Sequence, residues 1–559
     1  MAKNETTPKS GRRPLLLAGL ALLLLAAVAV VILLVDPFGW RLLDKASGLR
    51  DEAAAAMPPD AALYAGLDLA NFSEERLTEF SRPFVTALAE PGVDDLGSGL
   101  DRLDAMLAQE IGLTLGDDVM PWLGRSVGLA LTDLALRPDG TVDRLGWLLV
   151  AGSQDRPAAD AFLADLSEQL SRRRGLAPAE SEYRGRRIIT FGPDEDAPLS
   201  GVAFTRSGGQ VILGSDEATL RAAIDAQRGQ SLNGSETFRS LTAALPEERG
   251  LTLYADQQQL PELGRLLSAA APLAVGPLDL ANLILPPGAV GVSMVDQGLR
   301  LDLAAPAGDG QANPGGAREL AGRVPAEALA VFGGDSLDGS WQSLKASLAV
   351  GGGLGDFEES MALLRREFGY DPDQALLPLL DGEWVAALLP AGEGLVLELT
   401  GRPLGVVLLA SSQDPDGLAA AVDDLSQGLA DQRLPLATVE VGGVSATTVD
   451  LASLIGAPLP LYGVDESFLF LGTDAQLLAQ TLSGDGRLVD DPAYQAAGAL
   501  LPDDTTLSAY VDVAGLLARL DGGESEPLAR LLTPVQRIVA GGRPAGDGLR
   551  QGVSFIVVE

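Results

Sequence analysis

Apolar positions in this chain alternate with polar ones in short strand-like runs or recur at helical spacing, and one stretch does neither. Leu15 to Val35 (LLLAGLALLLLAAVAVVILLV) carries no charge over 21 residues, long enough to cross a bilayer as a helix. Asp36, Pro37, Phe38, Gly39 and Trp40 follow it and offer no small-residue cleavage site, so the pattern predicts an uncleaved signal-anchor at 15–35. Lys3, Lys9, Arg12 and Arg13 precede the run against a single acid, Glu5. That bias makes 1–14 a cytoplasmic basic tail and puts the body outside, as a single-pass protein of the cell membrane and envelope. Residues 36–56 read as a juxtamembrane stalk of helix formers, closed by Pro58 and Pro59.

Beyond the stalk the period keeps switching. Strand-like runs are expected at Ala61 to Leu69, Ser126 to Leu136, Leu145 to Gly152, Arg186 to Phe191, Gly201 to Thr205 and Gln210 to Leu213. Helices are expected from Phe72 to Phe84, around Leu100 to Glu110, and at Ala158 to Arg174, Glu217 to Gln227 and Glu236 to Leu245. Arg137, Pro138, Asp139 and Gly140 make a hairpin turn. This is α+β patterning with mainly antiparallel sheets.

The second half repeats the first. LGWLLVAGSQDRPAADAFLADLSEQL from Leu145 aligns without a gap on LGVVLLASSQDPDGLAAAVDDLSQGL from Leu404. Ile111 onward matches Phe368 onward, Gly214-Ser215-Asp216 matches Gly472-Thr473-Asp474, and Tyr254-Ala255-Asp256 matches Tyr510-Val511-Asp512, all at spacings of 256 to 259 residues. The openings agree from Met57 and Val324, and the ends pair VGVSMV from Val290 with QGVSFIV from Gln551. The expected organisation is therefore an N-terminal transmembrane helix followed by two tandem, internally duplicated α+β repeats at 57–305 and 324–559. A Gly/Pro-rich connector, 306–323, joins them.

Composition removes chemistry rather than adding it. A formal net charge of -37 repels nucleic acid, which is excluded as a partner. The chain has no Cys and no His, so disulfides, thiolate nucleophiles, histidine-ligated metals and Ser-His-Asp triads are all unavailable. Ser153-Gln154-Asp155 and its copy Ser412-Gln413-Asp414 stand where helices begin, so Asp155 and Asp414 read as N-caps, and Ser215 and Thr473 likewise. The acidic pairs Asp117 with Asp118, Glu358 with Glu359 and Asp423 with Asp424 are the one route left to hydrolysis, but 77 acidic residues produce such pairs by chance. Pro193 to Asp196 and Asp371 to Asp373 lack EF-hand spacing. The glycine runs at Gly308 to Gly316 and Gly351 to Gly355 have no following lysine, Lys345 lying upstream, and Lys345 has no Ser three residues before it. Arg172, Arg173, Arg174, Arg184, Arg186 and Arg187 form a basic patch for an anionic partner or for pairing with neighbouring acids.

Pro59 to Asn71 has the form P-x-x-A-L-Y-x-G-L-D-L-x-N. With the anchor and the duplicated body, it resembles an uncharacterised bacterial membrane-anchored family, known as a domain of unknown function (3352). That resemblance implies an envelope location and carries over no site residue. The expected function is a binding or scaffolding protein with an unknown protein or small-molecule partner and membrane contact through 15–35. No catalytic, cofactor-binding or metal residue is assigned, and no cofactor or enzymatic activity is expected. A carrier for an apolar ligand such as a lipid, or a carboxylate-dependent hydrolase of an envelope polymer, are the alternatives.

Overall fold

The computed structural model describes residues 52–71, 104–105, 108–109, 112–136, 142–174, 177–192, 201–256, 274–275, 278–279, 288–306, 319–351, 358, 362, 365–366, 370–449, 460–484, 486–520, 532–543 and 548–558. Contacts divide the chain into two units, one reaching Met294 and the other starting at Val295 apart from a short excursion near residue 83. Ten strands come from the earlier part of the chain: β1 (Leu63–Asp68), β2 (Leu123–Leu136), β3 (Val142–Ser153), β4 (Ala179–Tyr183), β5 (Arg186–Phe191), β6 (Val202–Ser207), β7 (Gln210–Gly214), β8 (Leu251–Ala255), β9 (Gly288–Val295) and β10 (Gly298–Pro306). Ten more follow: β11 (Ala330–Gly334), β12 (Trp384–Pro390), β13 (Leu404–Ser411), β14 (Leu436–Val441), β15 (Val444–Val449), β16 (Leu461–Asp465), β17 (Phe468–Gly472), β18 (Thr506–Asp512), β19 (Val535–Arg543) and β20 (Leu549–Val558).

In the first unit the strands lie in the order β4-β5-β6-β7-β3-β2-β1-β8-β9, every pair antiparallel. The second unit runs β14-β15-β16-β17-β13-β12-β11-β18-β19-β20-β10, again antiparallel. Two-residue turns set the hairpin registers. Arg184 and Gly185 between β4 and β5, and Gly442 and Gly443 between β14 and β15, all have positive φ, the geometry whose twist suits paired strands.

Two expectations are corrected here. The pairings assign the twenty strands to a single antiparallel sheet, not to a separate sheet for each repeat. The reason lies at the ends. β10 pairs with β20 over its whole length, from Gly298 opposite Val557 to Pro306 opposite Leu549, so each satisfies backbone groups that the other would leave open. That register also replaces the expected match of Val290 with Gln551, because Val290 lies in β9, whose place in the order is taken in the second unit by β19 and not β20. The other correction concerns the membrane. Among the described residues no helix is long and apolar enough to span one, against the expected transmembrane signal-anchor and the single-pass, extracytoplasmic envelope location built on it. The described helices are sheet covers: the longest, α1 (Arg156–Arg174), buries Ala159, Phe162, Leu163, Leu166 and Leu170 and carries charge on its other face. Residues 15–35 lie outside the described residues. So do Phe72 to Phe84, Arg137 to Gly140, Pro193 to Asp196 and Gly308 to Gly316.

Packing explains the Y-x-G-x-D part of the opening motif. The ring of fully buried Tyr64 folds back over Gly66, where a Cβ would fall 2.2 Å from the Tyr64 hydroxyl, and it meets Phe238 edge-on at 5.7 Å. In the second unit the ring of Phe470 covers Gly463, directly opposite it, in the same manner. Buried residues line both sheet faces in each unit: in the first, α1 packs over Val127, Ala151 and Val211, while α2 (Glu217–Ala226) and α3 (Glu236–Ala243) pack on the side of Tyr64 and Leu148.

Candidate functional site

Most polar groups singled out in the sequence serve the fold. Asp155 accepts from the Ala158 amide at 3.0 Å, and Asp414 accepts from Gly417 at 3.0 Å at the start of the helix Pro415–Asp431. The expected capping by Ser215 and Thr473 moves one residue on, to Asp216 and Asp474, which accept from Thr219 and Leu477. Thr473 instead bonds the Val406 amide across the sheet. In the opening motif, buried Asp68 takes a two-pronged ion pair from Arg125 and also accepts from the Ala70 amide and the Asn71 side chain.

The acidic pairs separate. Asp118 accepts from the Thr114 amide and hydroxyl while Asp117 points to solvent, and Asp423 and Asp424 are both exposed on their helix. Glu358 is exposed, and Glu359 lies outside the described residues. Of the basic patch, Arg172 pairs with Glu168, Arg184 with Asp225 and Arg187 with Glu180. Glu180 is held below the usual carboxylate range by its hydrogen bond to Arg187, and Glu217 by Ser181 and then Arg221. A general acid needs the opposite shift.

A denser cluster sits beside the helix Leu337–Gly351 in the second unit. Asp373 accepts from the Trp341 indole at 2.6 Å and from Arg365 at 2.9 Å, with the Lys345 ammonium at 3.4 Å, while Arg365 also pairs with Asp371 at 3.1 Å. Asp371 in turn receives the Asp373 amide as an N-cap. Burial raises the Asp373 pKa, but the Trp341 hydrogen bond and the two cations outweigh it and hold the carboxyl below its ordinary value. A group so depressed adds stability above its unfolded pKa and loses it as pH falls through the folded one. Asp373→Asn should therefore lower the urea midpoint at pH 7, and the gap from wild type should close on acidification below about pH 4. A gap unchanged at pH 3 would show that the ionised carboxylate is not what holds the cluster. With two cations against two carboxylates, nothing is left over to bind a ligand. Among the described residues no group of acidic side chains is arranged to hold a metal ion.

In the second unit, Ala321, Val331, Tyr494 and Tyr510 line a hollow of about 10 Å³, room for a single water. Burial pushes the Tyr494 phenol up to about 12, too high for a base near neutral pH.

The arrangement that departs from an ordinary fold lies on β10 and β20. β10 alternates Leu299, Leu301 and Leu303 with Arg300, Asp302 and Ala304, a pattern that would ordinarily turn the leucines inward. The reverse occurs. Asp302 is only 4% exposed, in a two-pronged pair with Arg300 at 2.7 and 2.9 Å, and Arg300 lies over the Phe555 ring at 5.9 Å. The three leucines remain half-buried on the other face. Register places Ile556, Ser554 and Gly552 of β20 directly opposite them, followed by Ile538, Ala540 and Gly542 of β19. Among the described residues the broad packing of β10 and β20 is strand on strand, whereas the helices Pro492–Gly498 and Val513–Arg519 pack against β19.

A family model described as "Protein of unknown function (DUF3352)" matches residues 15–540. The chain belongs to this family. Neither the curated proteins nor the solved structures include one that matches. The DUF3352 match spans both units, with β10 inside the matched residues and β20 beyond them. Sequence reasoning did not single out 298–306 as a strand. The signal available was the pairing of Arg300 with Asp302 two residues on, charge enough for the inward side of a strand to satisfy itself.

Proposed function

We propose that the protein is a non-catalytic binding protein whose second unit offers the apolar face of β10, β19 and β20 to a partner. One observation carries this reading: β10 buries the Asp302 carboxylate in its pair with Arg300 and leaves Leu299, Leu301 and Leu303 half-covered on the other side. Support also comes from the polar clusters, whose members are committed to one another. Catalysis has no comparable support, since Glu180, Glu217, Asp373 and Asp490 are all shifted toward the ionised form. Native mass spectrometry of the full chain, purified gently from its own host, tests the proposal. The expected spectrum contains a noncovalent adduct that Leu301→Glu removes while the far-UV circular dichroism stays unchanged. A bare chain in both proteins, or an adduct indifferent to Leu301→Glu, would refute it.

A further inference from the structure

At the end of the same apolar strip stands Arg550. It occupies the strand position that alternation places on the leucine side, directly opposite Ala305 and two residues before Gly552. Its Nε is shut away from solvent and has no hydrogen-bond partner. Among the described residues no carboxylate pairs with it, and burial pushes its pKa down from the ordinary arginine value. Other arginines of these strands are provided for: Arg300 forks onto Asp302, and Arg543 bonds Gln551 at 2.6 Å and lies 3.7 Å from Asp504. In a chain of net charge -37, a half-buried arginine with no acid beside it among the described residues stands out.

We infer that the strip binds a single-chain anionic amphiphile, a long-chain carboxylate whose head is received by the Arg550 guanidinium and whose tail lies along Leu303, Leu301 and Leu299. The inference rests on the binding reading above and names its ligand class. Charge complementarity selects the head, because a guanidinium fork matches a carboxylate and would regain the bonds that burial has taken from it. Length selects the tail. From Leu299 to Ala305 the strip runs about 20 Å at a rise of about 3.3 Å per residue, the reach of a long acyl chain. The floor is low where the chain would pass: a Cβ added at Gly552 would meet nothing nearer than the Gly541 carbonyl at 3.6 Å, with Leu303 atoms at 3.9 and 4.0 Å.

Titration of the full chain, stripped of bound lipid, with hexadecanoate and with hexadecanol by isothermal calorimetry tests this. The wild type is expected to bind the acid more tightly than the alcohol, and Arg550→Met to weaken the acid by about tenfold or more while leaving the alcohol unchanged. Gly552→Leu, which fills the strip without touching the head site, is expected to abolish both. If Arg550→Met does not fold, Arg550→Lys takes its place, with a smaller loss confined to the acid. The inference is overturned if the wild type does not take up hexadecanoate, if acid and alcohol bind alike, or if the Arg550 variant keeps wild-type affinity for the acid. A host-derived adduct that depends on Leu301 but is not an anionic amphiphile would leave the binding reading standing and remove this one.

Discussion

Phe470→Ala lowers the stability of the second unit by about 4 kcal/mol, the upper part of the range for deleting a buried aromatic ring. Phe470 is 0% exposed, lies opposite Leu409 on one neighbouring strand and Gly463 on the other, and packs in the cluster with Val385, Leu389, Val407 and Leu478. Because Gly463 has no side chain, nothing nearby can lean into the space the ring vacates, so collapse is poor and the cavity term is large. Urea unfolding of the full chain, followed by circular dichroism, should show one transition moved to lower denaturant with the first unit's transition in place. A loss under about 1 kcal/mol would mean that the ring's seat over Gly463 contributes little beyond its transfer from water.

Asp68→Ala should cost the first unit about 3 kcal/mol. The carboxylate is nearly inaccessible and receives the Arg125 fork, the Ala70 amide and the Asn71 side chain, which itself also donates to the Arg249 carbonyl at 2.9 Å. Removing it strands a guanidinium whose side chain is 23% exposed, so some of the full burial penalty is relieved by water. The double variant Asp68→Ala with Arg125→Met decides the cause. Recovery of most of the lost stability would assign the cost to the stranded charge; no recovery would assign it to the turn that Asp68 ties to Asn71.

The strands and helices with strong periodicity were legible. Arg186 to Phe191 and Gln210 to Leu213 fall on β5 and β7, and the helix expected from Ala158 begins at Arg156 because Asp155 caps it. β4 was not legible. Its AESEY carries acids on a strand with one partner, β5, and no apolar face marks it. Nor was the cluster around Asp373: Trp341 and Lys345 share a helix face and Asp371 lies two residues away, but Trp341 and Lys345 stand 32 and 28 residues before Asp373 and no spacing joins them. The candidate face was hidden as well. The run from Leu299 to Leu303 was not singled out as a strand, and a period of two could not in any case say which side is covered. Arg550 carried no mark at all, since a lone arginine shows its missing partner only when its neighbours are known.

The pairing of β10 with β20 also sets a clock on synthesis. β10 leaves the ribosome roughly 250 residues ahead of its partner, which at about 5–20 residues per second is a wait on the order of ten to fifty seconds. Throughout it, a strand bearing three leucines has an unsatisfied edge, the condition under which nascent chains pair with one another. A ribosome that stalls before Leu549 leaves that edge open permanently, so truncated products of this gene should be the ones that chaperones hold and proteases clear.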